Sequence, residues 1–573
     1  MTSKLFSSCN LFRSRTISIK VLDKINSRGK TTACEVNSDE KKESQEQAGS
    51  GGAKKGLVLG VYENEKKLEL SSTAEEIDQK SGGKISKYLN EISGHLKPGK
   101  AFVVTDVLPD VGPVALSALG PKDAGYNELE SLDESRENVR IMVGSGVKVL
   151  AERGCTQVAV DSGGIPDAAA EGAHLAAWRF DKFKMDKQPA VQVSLYGDGS
   201  KKSGENVECG DTKKSSDSWS TGFVFARAQN WARYLSEMPA NKMTPVDFAQ
   251  EALDVLCPLG VQVWARERDW IAAQHMKAHL ALAAGSCTPP LFLHCHYTPS
   301  SGSNQSSGSP PPSSGHGPTP IVLLAAPGIT FDSGGLCLKK CEEMRKKSGN
   351  LAGAAAALAA IRVLAELQVP LQVCAVIPLC ENLPGAACAR VGDVLPALSG
   401  PRMLVEDTSL ASRLVSADAL VFGQAMHKPS LVVDLAADTE VTKSSVGEGA
   451  FGVFSNSLQA WGAVKSAGVK TGDRPWRMPL WDYYGKQIDN DPAVDLRSKG
   501  SGKASPCIGA AFLRNFICGD WLHIDISGVS VSTAPCPYLH HDRTSGRPSR
   551  TLAAMLKHIA SNTNKEDKEK PCS

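Results

Sequence analysis

Six stretches beyond residue 255, GVQVWA, LFLHCHY, PIVLLAA, LQVCAVIP, SLVVDLAA and WLHIDIS, are near-continuous apolar runs rather than alternating ones. A strand of that kind has no face to give to water. It needs a sheet covered by helices on both sides. The intervening segments supply helical patterns, among them the Ala-rich LAGAAAALAAIRVLAELQVPL. Arg362 and Glu366 interrupt that stretch, so it reads as a buried helix and not as a membrane span. These features specify an α/β domain with a mixed sheet between helical layers over residues 221–562.

A smaller α/β domain precedes it, over residues 55–197. There the runs KGLVLGVY, KAFVVTDV, VALSALG, TQVAVDS and AVQVSLYG alternate with the helical patterns NVRIMVGSGVKVLAERG and AAAEGAHLAAWRF. Polar joints separate the parts: residues 35–54 read as a disordered linker and residues 198–220 as a second linker. The Ser/Gly/Pro-rich residues 298–320 read as a disordered loop, and residues 563–573 as a frayed tail. The helix GFVFARAQNWARYLSEM is expected to end before Pro239.

A net charge of +2 gives no basis for a nucleic-acid partner, and no run of 18 apolar residues is present to span a membrane. The 16 cysteines fall at irregular spacing, many inside apolar runs, which suits buried free thiols better than a disulfide framework. Residues 1–30 hold seven Lys/Arg, eight Ser/Thr and a single acid, Asp23, among scattered Leu, Phe and Ile. That composition matches a mitochondrial transit peptide, taken as residues 1–34. The alternative is a disordered basic tail on a cytoplasmic protein.

Nine motifs occur in order: MPANKMTPVDFA, GITFDSGGLCLK, GNLAGAAAAL, PLCENLPGAACARVGDV, SRLVSADAL, GAFGVFSNS, DRPWRMPLWDYY, HIDISGV and TSGRPSRTL. Together they resemble the leucyl aminopeptidase family, also called cytosol aminopeptidases. The resemblance implies a small N-terminal domain, a larger catalytic domain and assembly as hexamers. It also implies two divalent ions (zinc, manganese or magnesium) that activate a shared water and remove N-terminal residues from peptides.

The ligand positions that the resemblance implies are mostly altered here. Asp332 keeps its carboxylate. Pro327 stands where the family has a lysine ligand, Asn350 and Ser409 stand for aspartates, and Ala411 stands for a glutamate. Two divalent ions about 3.5 Å apart repel by roughly 19 kcal/mol at an effective dielectric of 20, and one carboxylate does not offset that. A register slide onto Glu406 or Asp407, or a swing of Glu342 or Glu343, are the substitutes the sequence offers. Lys339 and Arg413 match the family's catalytic lysine and its anion-holding arginine. Either they are remnants of catalysis or they now neutralise local carboxylates such as Asp438, which with Glu440 alters the pocket loop AADTE.

Three readings follow. The chain is a catalytically inactive homologue with a structural role as a mitochondrial-matrix homohexamer, or as a mixed hexamer with related subunits, and needs no cofactor. That pattern is similar to the insect sperm leucyl aminopeptidases. Alternatively it is a metal-dependent aminopeptidase, or a module that binds an anion or peptide between Lys339 and Arg413. The leader can be tested alone. Fused to a reporter, residues 1–40 should carry it into mitochondria and be cut within residues 15–40, whereas a diffuse reporter of uncut length would contradict the targeting assignment.

Overall fold

The computed structural model describes residues 53–64, 67–92, 94–197, 209–299, 320–346, 350–437 and 441–569. The expected transit peptide, most of the linker at 35–54 and residues 300–319 of the low-complexity loop lie outside these. From Lys54 onward the chain forms one compact unit.

The first domain is built on β1 (Lys55–Asn64), β2 (Lys67–Leu70), β3 (Ala101–Val104), β4 (Val114–Gly120), β5 (Gln157–Val160) and β6 (Gln192–Leu195). They form one sheet in the order β3–β4–β1–β5–β6, with β2 hairpinned onto β1. Strands β4, β1, β5 and β6 are parallel, and β3 is an antiparallel edge. In β1, Leu57, Leu59 and Val61 feed one apolar cluster and Val58 feeds the other, so both faces of the sheet are dry. The helices include α1 (Ser72–Lys80), α2 (Lys84–Ile92), α3 (Glu134–Glu152) and α4 (Pro166–Ala177).

The second domain adds α5 (Cys209–Glu237), α6 (Pro245–Leu256), β7 (Gln262–Arg266), α7 (Lys277–Ala283), β8 (Leu291–Tyr297), β9 (Ile321–Ala325), β10 (Gly328–Asp332), α8 (Ala352–Glu366) and β11 (Gln372–Asn382). It continues with α9 (Ala411–His427), β12 (Leu431–Ala436), β13 (Ala450–Ser455), α10 (Leu458–Thr471), β14 (Arg474–Arg477), α11 (Ser505–Arg514), β15 (Asp520–Asp525) and α12 (Ser549–Glu569). Nine strands make one sheet in the order β14–β13–β15–β12–β9–β11–β8–β7, with β10 paired to β11. The centre, β15–β12–β9–β11, is parallel, and the outer pairs β13–β15, β11–β8 and β8–β7 are antiparallel.

All six apolar runs are strands of this sheet, and the alternation works as it does in β1. Val322 and Leu324 of β9 enter one cluster while Leu323 and Ala325 enter the cluster on the other face. The Ala-rich run is helix α8, with 12 of its 15 residues buried. Its methyl side chains let it lie close on the sheet, and a Cβ on Gly353 would sit 2.6 Å from the Leu435 carbonyl oxygen. Among the described residues no helix is long and apolar enough to cross a membrane.

Two expected boundaries are corrected. Helix α5 begins at Cys209, inside the joint expected at 198–220. The segment 211–220 has no Pro or Gly to break it, and Trp219 anchors it, its ring 5.9 Å from that of His174 on α4. Helix α12 runs on to Glu569, past the tail boundary expected at 562, because its last turns carry Lys and Glu and no helix breaker.

The two domains are stitched by a buried carboxylate. Glu171 on α4 accepts from Arg140 Nε of α3 at 2.6 Å and from Arg550 Nη1 of α12. Arg550 Nε also donates to Gln229 Oε1 of α5 at 2.5 Å, and Arg140 donates to the Lys470 carbonyl of α10. Burial alone would raise the Glu171 pKa, but the two guanidinium groups outweigh it and hold the carboxyl below its usual range. Arg140 keeps Glu137 at 2.8 Å, so Glu171→Gln removes the counter-charge that the two buried guanidinium groups share without isolating both, and should cost about 3 kcal/mol in urea unfolding at pH 7. The folded-state pKa is depressed, so this stabilisation is complete above the ordinary carboxylate value and lost as pH falls. The deficit of the variant should therefore shrink below about pH 4.5, and an unchanged unfolding midpoint at pH 7 would refute the assignment.

Candidate active site

The residues singled out in the sequence meet where the parallel strands β9 to β12 end at their carboxyl edge, the usual place for a site in an α/β sheet. Strand β10 delivers Asp332. The chain then turns sharply through Gly334, at φ +88°, where a Cβ would lie 2.3 Å from the Cys337 carbonyl oxygen. The turn sends Lys339 back onto Asp332, and the ammonium contacts Asp332 Oδ2. The other carboxylate oxygen accepts from the Gly334 amide at 2.9 Å and from Asn382 Nδ2 at 2.8 Å. Both oxygens of the retained ligand are thus engaged by protein donors, and the side chain is 8% exposed.

Asn382 and Thr408 were not singled out from the sequence, yet they frame this cluster. Asn382 Nδ2 also donates to the Thr408 carbonyl at 3.0 Å. Thr408 Oγ1 donates to the Gly334 carbonyl at 2.6 Å and accepts from the Cys337 amide at 2.9 Å. The available signal was position: Asn382 closes the quoted CEN run at the end of β11, and Thr408 stands one residue before an altered ligand.

The altered positions are settled into structural roles. Pro327 is buried in the turn between β9 and β10 and has no side-chain donor atom. Asn350 bridges to Ile329 and enters α8. Its Nδ2 donates to the Ala437 carbonyl at 3.1 Å, and its Oδ1 accepts from the Ala437 amide at 3.2 Å. An amide pairs reciprocally with a peptide group in this way, whereas a carboxylate has no donor to offer. Ser409 lies in a single 3-10 turn, and its Oγ donates to Asp407 Oδ1 at 2.6 Å. Ala411 opens α9 with its methyl fully buried.

The substitute acids face elsewhere. Glu406 accepts from Arg497 Nη2 at 2.5 Å and from the amides of Lys499 and Gly500 at 2.8 Å each. Asp407 accepts from Lys499 Nζ at 2.9 Å. Burial would raise the Asp407 pKa, but the Ser409 and Lys499 hydrogen bonds prevail and lower it. Glu342 and Glu343 are exposed on a short helix, Cys341–Lys346. Asp438 and Glu440 lie outside the described residues. Arg413 is buried on α9 against Gly509, and donates to the Ser498 carbonyl at 3.1 Å and to the Ser505 carbonyl and hydroxyl at 3.0 and 2.9 Å. Lys339 is therefore brought to Asp332, while Arg413 is directed at backbone carbonyls.

Residues 230–553 match the cytosol aminopeptidase family, catalytic domain, and residues 58–187 match its N-terminal domain. The chain belongs to the cytosol aminopeptidase family. It is 36% identical to the cytosol aminopeptidase of Xenopus tropicalis over 524 residues, covering 90% of this chain and 94% of that one. It is also 36% identical to the human cytosol aminopeptidase, with 88% and 92% covered, and 31% identical to a probable cytosol aminopeptidase of Geobacter sulfurreducens, with 74% and 82% covered. The structure of the bottromycin maturation enzyme BotP in complex with Mn superposes with a TM-score of 0.71 at 23% identity, covering 89% of this chain and all of that one, and shares the fold.

The family is one of metal-dependent aminopeptidases. The side chains present here do not fit its two ions. At the positions expected to carry ligands stand a proline, an alanine and an amide locked to a peptide group, the hydroxyl of Ser409 is given to Asp407, and Asp332 is closed by Lys339. Among the described residues no group of three or more His, Cys, Asp or Glu is placed to hold a metal ion. Single restorations should destabilise the fold. Asn350→Asp sets a carboxylate against the Ala437 carbonyl and should cost about 1–3 kcal/mol. Ala411→Glu buries an unpaired acid and should cost about 3 kcal/mol or more. Chemical denaturation of the two variants checks both, and unchanged midpoints would show that the positions still tolerate ligands.

Proposed function

We propose that this chain is a non-catalytic member of the cytosol aminopeptidase family, retained as a structural subunit. In this reading it assembles into a hexamer, alone or with related subunits, in the mitochondrial matrix, in the manner of the insect sperm leucyl aminopeptidases. The observation that carries the reading is Lys339 closing on Asp332. A lysine that polarises a substrate carbonyl must be free to meet it. A metal-binding aspartate must present its oxygens to the ion. Here each group satisfies the other.

Assembly is supported by what the chain leaves exposed. Strand β14 and the segment after it present Trp476, Trp481 and Tyr483 at 59%, 66% and 69% exposure. Large aromatics of this kind belong in the buried centre of an interface. The basic, acid-poor leader supports the mitochondrial location. The aminopeptidase alternative rests on the activity that the relatives' names carry. An anion or peptide module at Lys339 and Arg413 has less support, since the described contacts of both side chains go to protein groups.

The test uses the full chain after chelator treatment. Light scattering should give a mass near that of a hexamer, and leucyl-anilide hydrolysis in manganese should not exceed the buffer rate. Trp476→Glu should shift the mass to smaller species with the secondary structure unchanged. Two equivalents of manganese or zinc that survive dialysis and disappear in Asp332→Asn would overturn the non-catalytic reading.

A further inference from the structure

A cavity of about 710 Å³ opens between the first domain and the segment of the second that joins β15 to α12. Helix α3 gives Lys148 to its wall, the chain after α4 gives Arg179, and the joining segment gives His540 and His541. Ala151, Ala176 and Pro189 add an apolar stretch. Among the described residues of the wall the one acid is Glu152, which is exposed, so water and salt screen its charge.

Arg233 of α5 lies beside this wall with no exposed surface. Its guanidinium stacks over the Trp178 ring at 4.0 Å, and Nη1 donates to the Leu175 carbonyl at 3.0 Å and to Asn230 Oδ1 at 2.9 Å. Its Nε and Nη2 meet no acceptor among the described residues. A buried cation normally has a carboxylate for a partner. Glu237 acts on Arg233, but its oxygens already accept from Arg543 Nη1 at 2.6 Å and from the Thr544 amide and hydroxyl at 3.0 and 2.9 Å. Burial pushes Arg233 down to about 9. The same positive field reaches the cavity. Burial, with Arg233, Lys148 and Arg179 adding to it, pushes His540 down to about 4, and burial and Arg233 also lower Lys148.

We propose that this cavity binds an organic phosphate monoester, its phosphate held by Arg179, Lys148 and His540 and its organic part lying against Ala151, Ala176 and Pro189. The donors are there. Arg179 gives Nη1 to Gln188 Oε1, which leaves Nε and Nη2 as a fork of the shape that matches a phosphate edge. Lys148 gives two of its three N–H bonds to the carbonyls of Cys536 and Leu539, at 3.0 and 2.5 Å, and keeps one. His540 donates Nε2–H to the Trp178 carbonyl at 2.7 Å, so its Nδ1 lone pair can accept the P–O–H of a monoanion. Charge placed beside His540 also acts on Arg233 and supplies the counter-charge that the buried guanidinium lacks. A single phosphate would fill only a corner of a cavity this large, which is of the size that holds a small organic ligand. This site stands apart from Lys339 and Asp332 and does not rest on the non-catalytic reading.

Full-length protein titrated with phenyl phosphate in a calorimeter should bind one equivalent. Inorganic phosphate and benzoate, each lacking one half of the recognised structure, should bind at least about tenfold more weakly. Arg179→Gln, on a half-buried loop, should weaken phenyl phosphate roughly tenfold or more. Lys148→Gln should give a similar loss by a second route, with circular dichroism confirming that both variants fold. Lys339→Gln should leave the binding unchanged. No binding of phenyl phosphate overturns the proposal, as does binding that Arg179→Gln and Lys148→Gln both leave intact. Inorganic phosphate or benzoate binding as tightly as phenyl phosphate overturns the ester assignment. Binding lost in Lys339→Gln alone would place the anion at the carboxyl edge of the second sheet, which overturns this proposal in favour of the module at Lys339 and Arg413.

Discussion

The carboxylate of Glu171, held between Arg140 and Arg550, is the interaction on which the two-domain body depends. It lies where α3, α4, α5 and α12 converge, and through Arg140 it also reaches the carbonyl end of α10. The apolar clusters supply most of the folding free energy, and one of them already brings Tyr538 and Leu539 of the second domain against the first, but apolar contact is non-directional. A buried charge between two fixed guanidinium groups is directional, because any other arrangement leaves ions without partners. The polar network therefore specifies the geometry that the hydrophobic layers stabilise.

The same accounting of charge applies at the carboxyl edge of the second sheet. A centre for two divalent ions gathers carboxylates that only the ions can neutralise. In this chain the positions expected to carry them hold Asn350, Ser409 and Ala411, and the carboxylate present, Asp332, is neutralised by the chain's own Lys339. Asn382, Thr408 and the Gly334 turn bind the remaining groups into a closed hydrogen-bonded cluster.

Much of this was legible in the sequence, for a definite reason. Strands buried on both faces write themselves as unbroken apolar runs, so β7, β8, β9, β11, β12 and β15 were all visible. Strands β10, β13 and β14 were not, because their residues carry turn glycines or lie at the sheet edge and lack such runs. The altered ligands were visible as residue types, and their new roles were not. Nothing in the sequence shows that Asn350 pairs with the Ala437 peptide, or that Lys339 turns back onto Asp332, since both depend on loops closing across distant strands. The gathering of Lys148, Arg179 and Arg233 around His540 was likewise hidden, being contributed by two helices and two connecting segments far apart in the chain.

The closure of Lys339 on Asp332 also bears on what substitutions here can do. The polar side chains at the expected ligand positions each have a local partner. The Ala437 peptide pairs with Asn350, and Asp407 with Ser409. A carboxylate placed at any one of these positions breaks a satisfied contact. It gains no ion while Lys339 holds Asp332 and the other positions offer no carboxylate. Building a two-ion ligand set on this scaffold therefore requires several simultaneous changes.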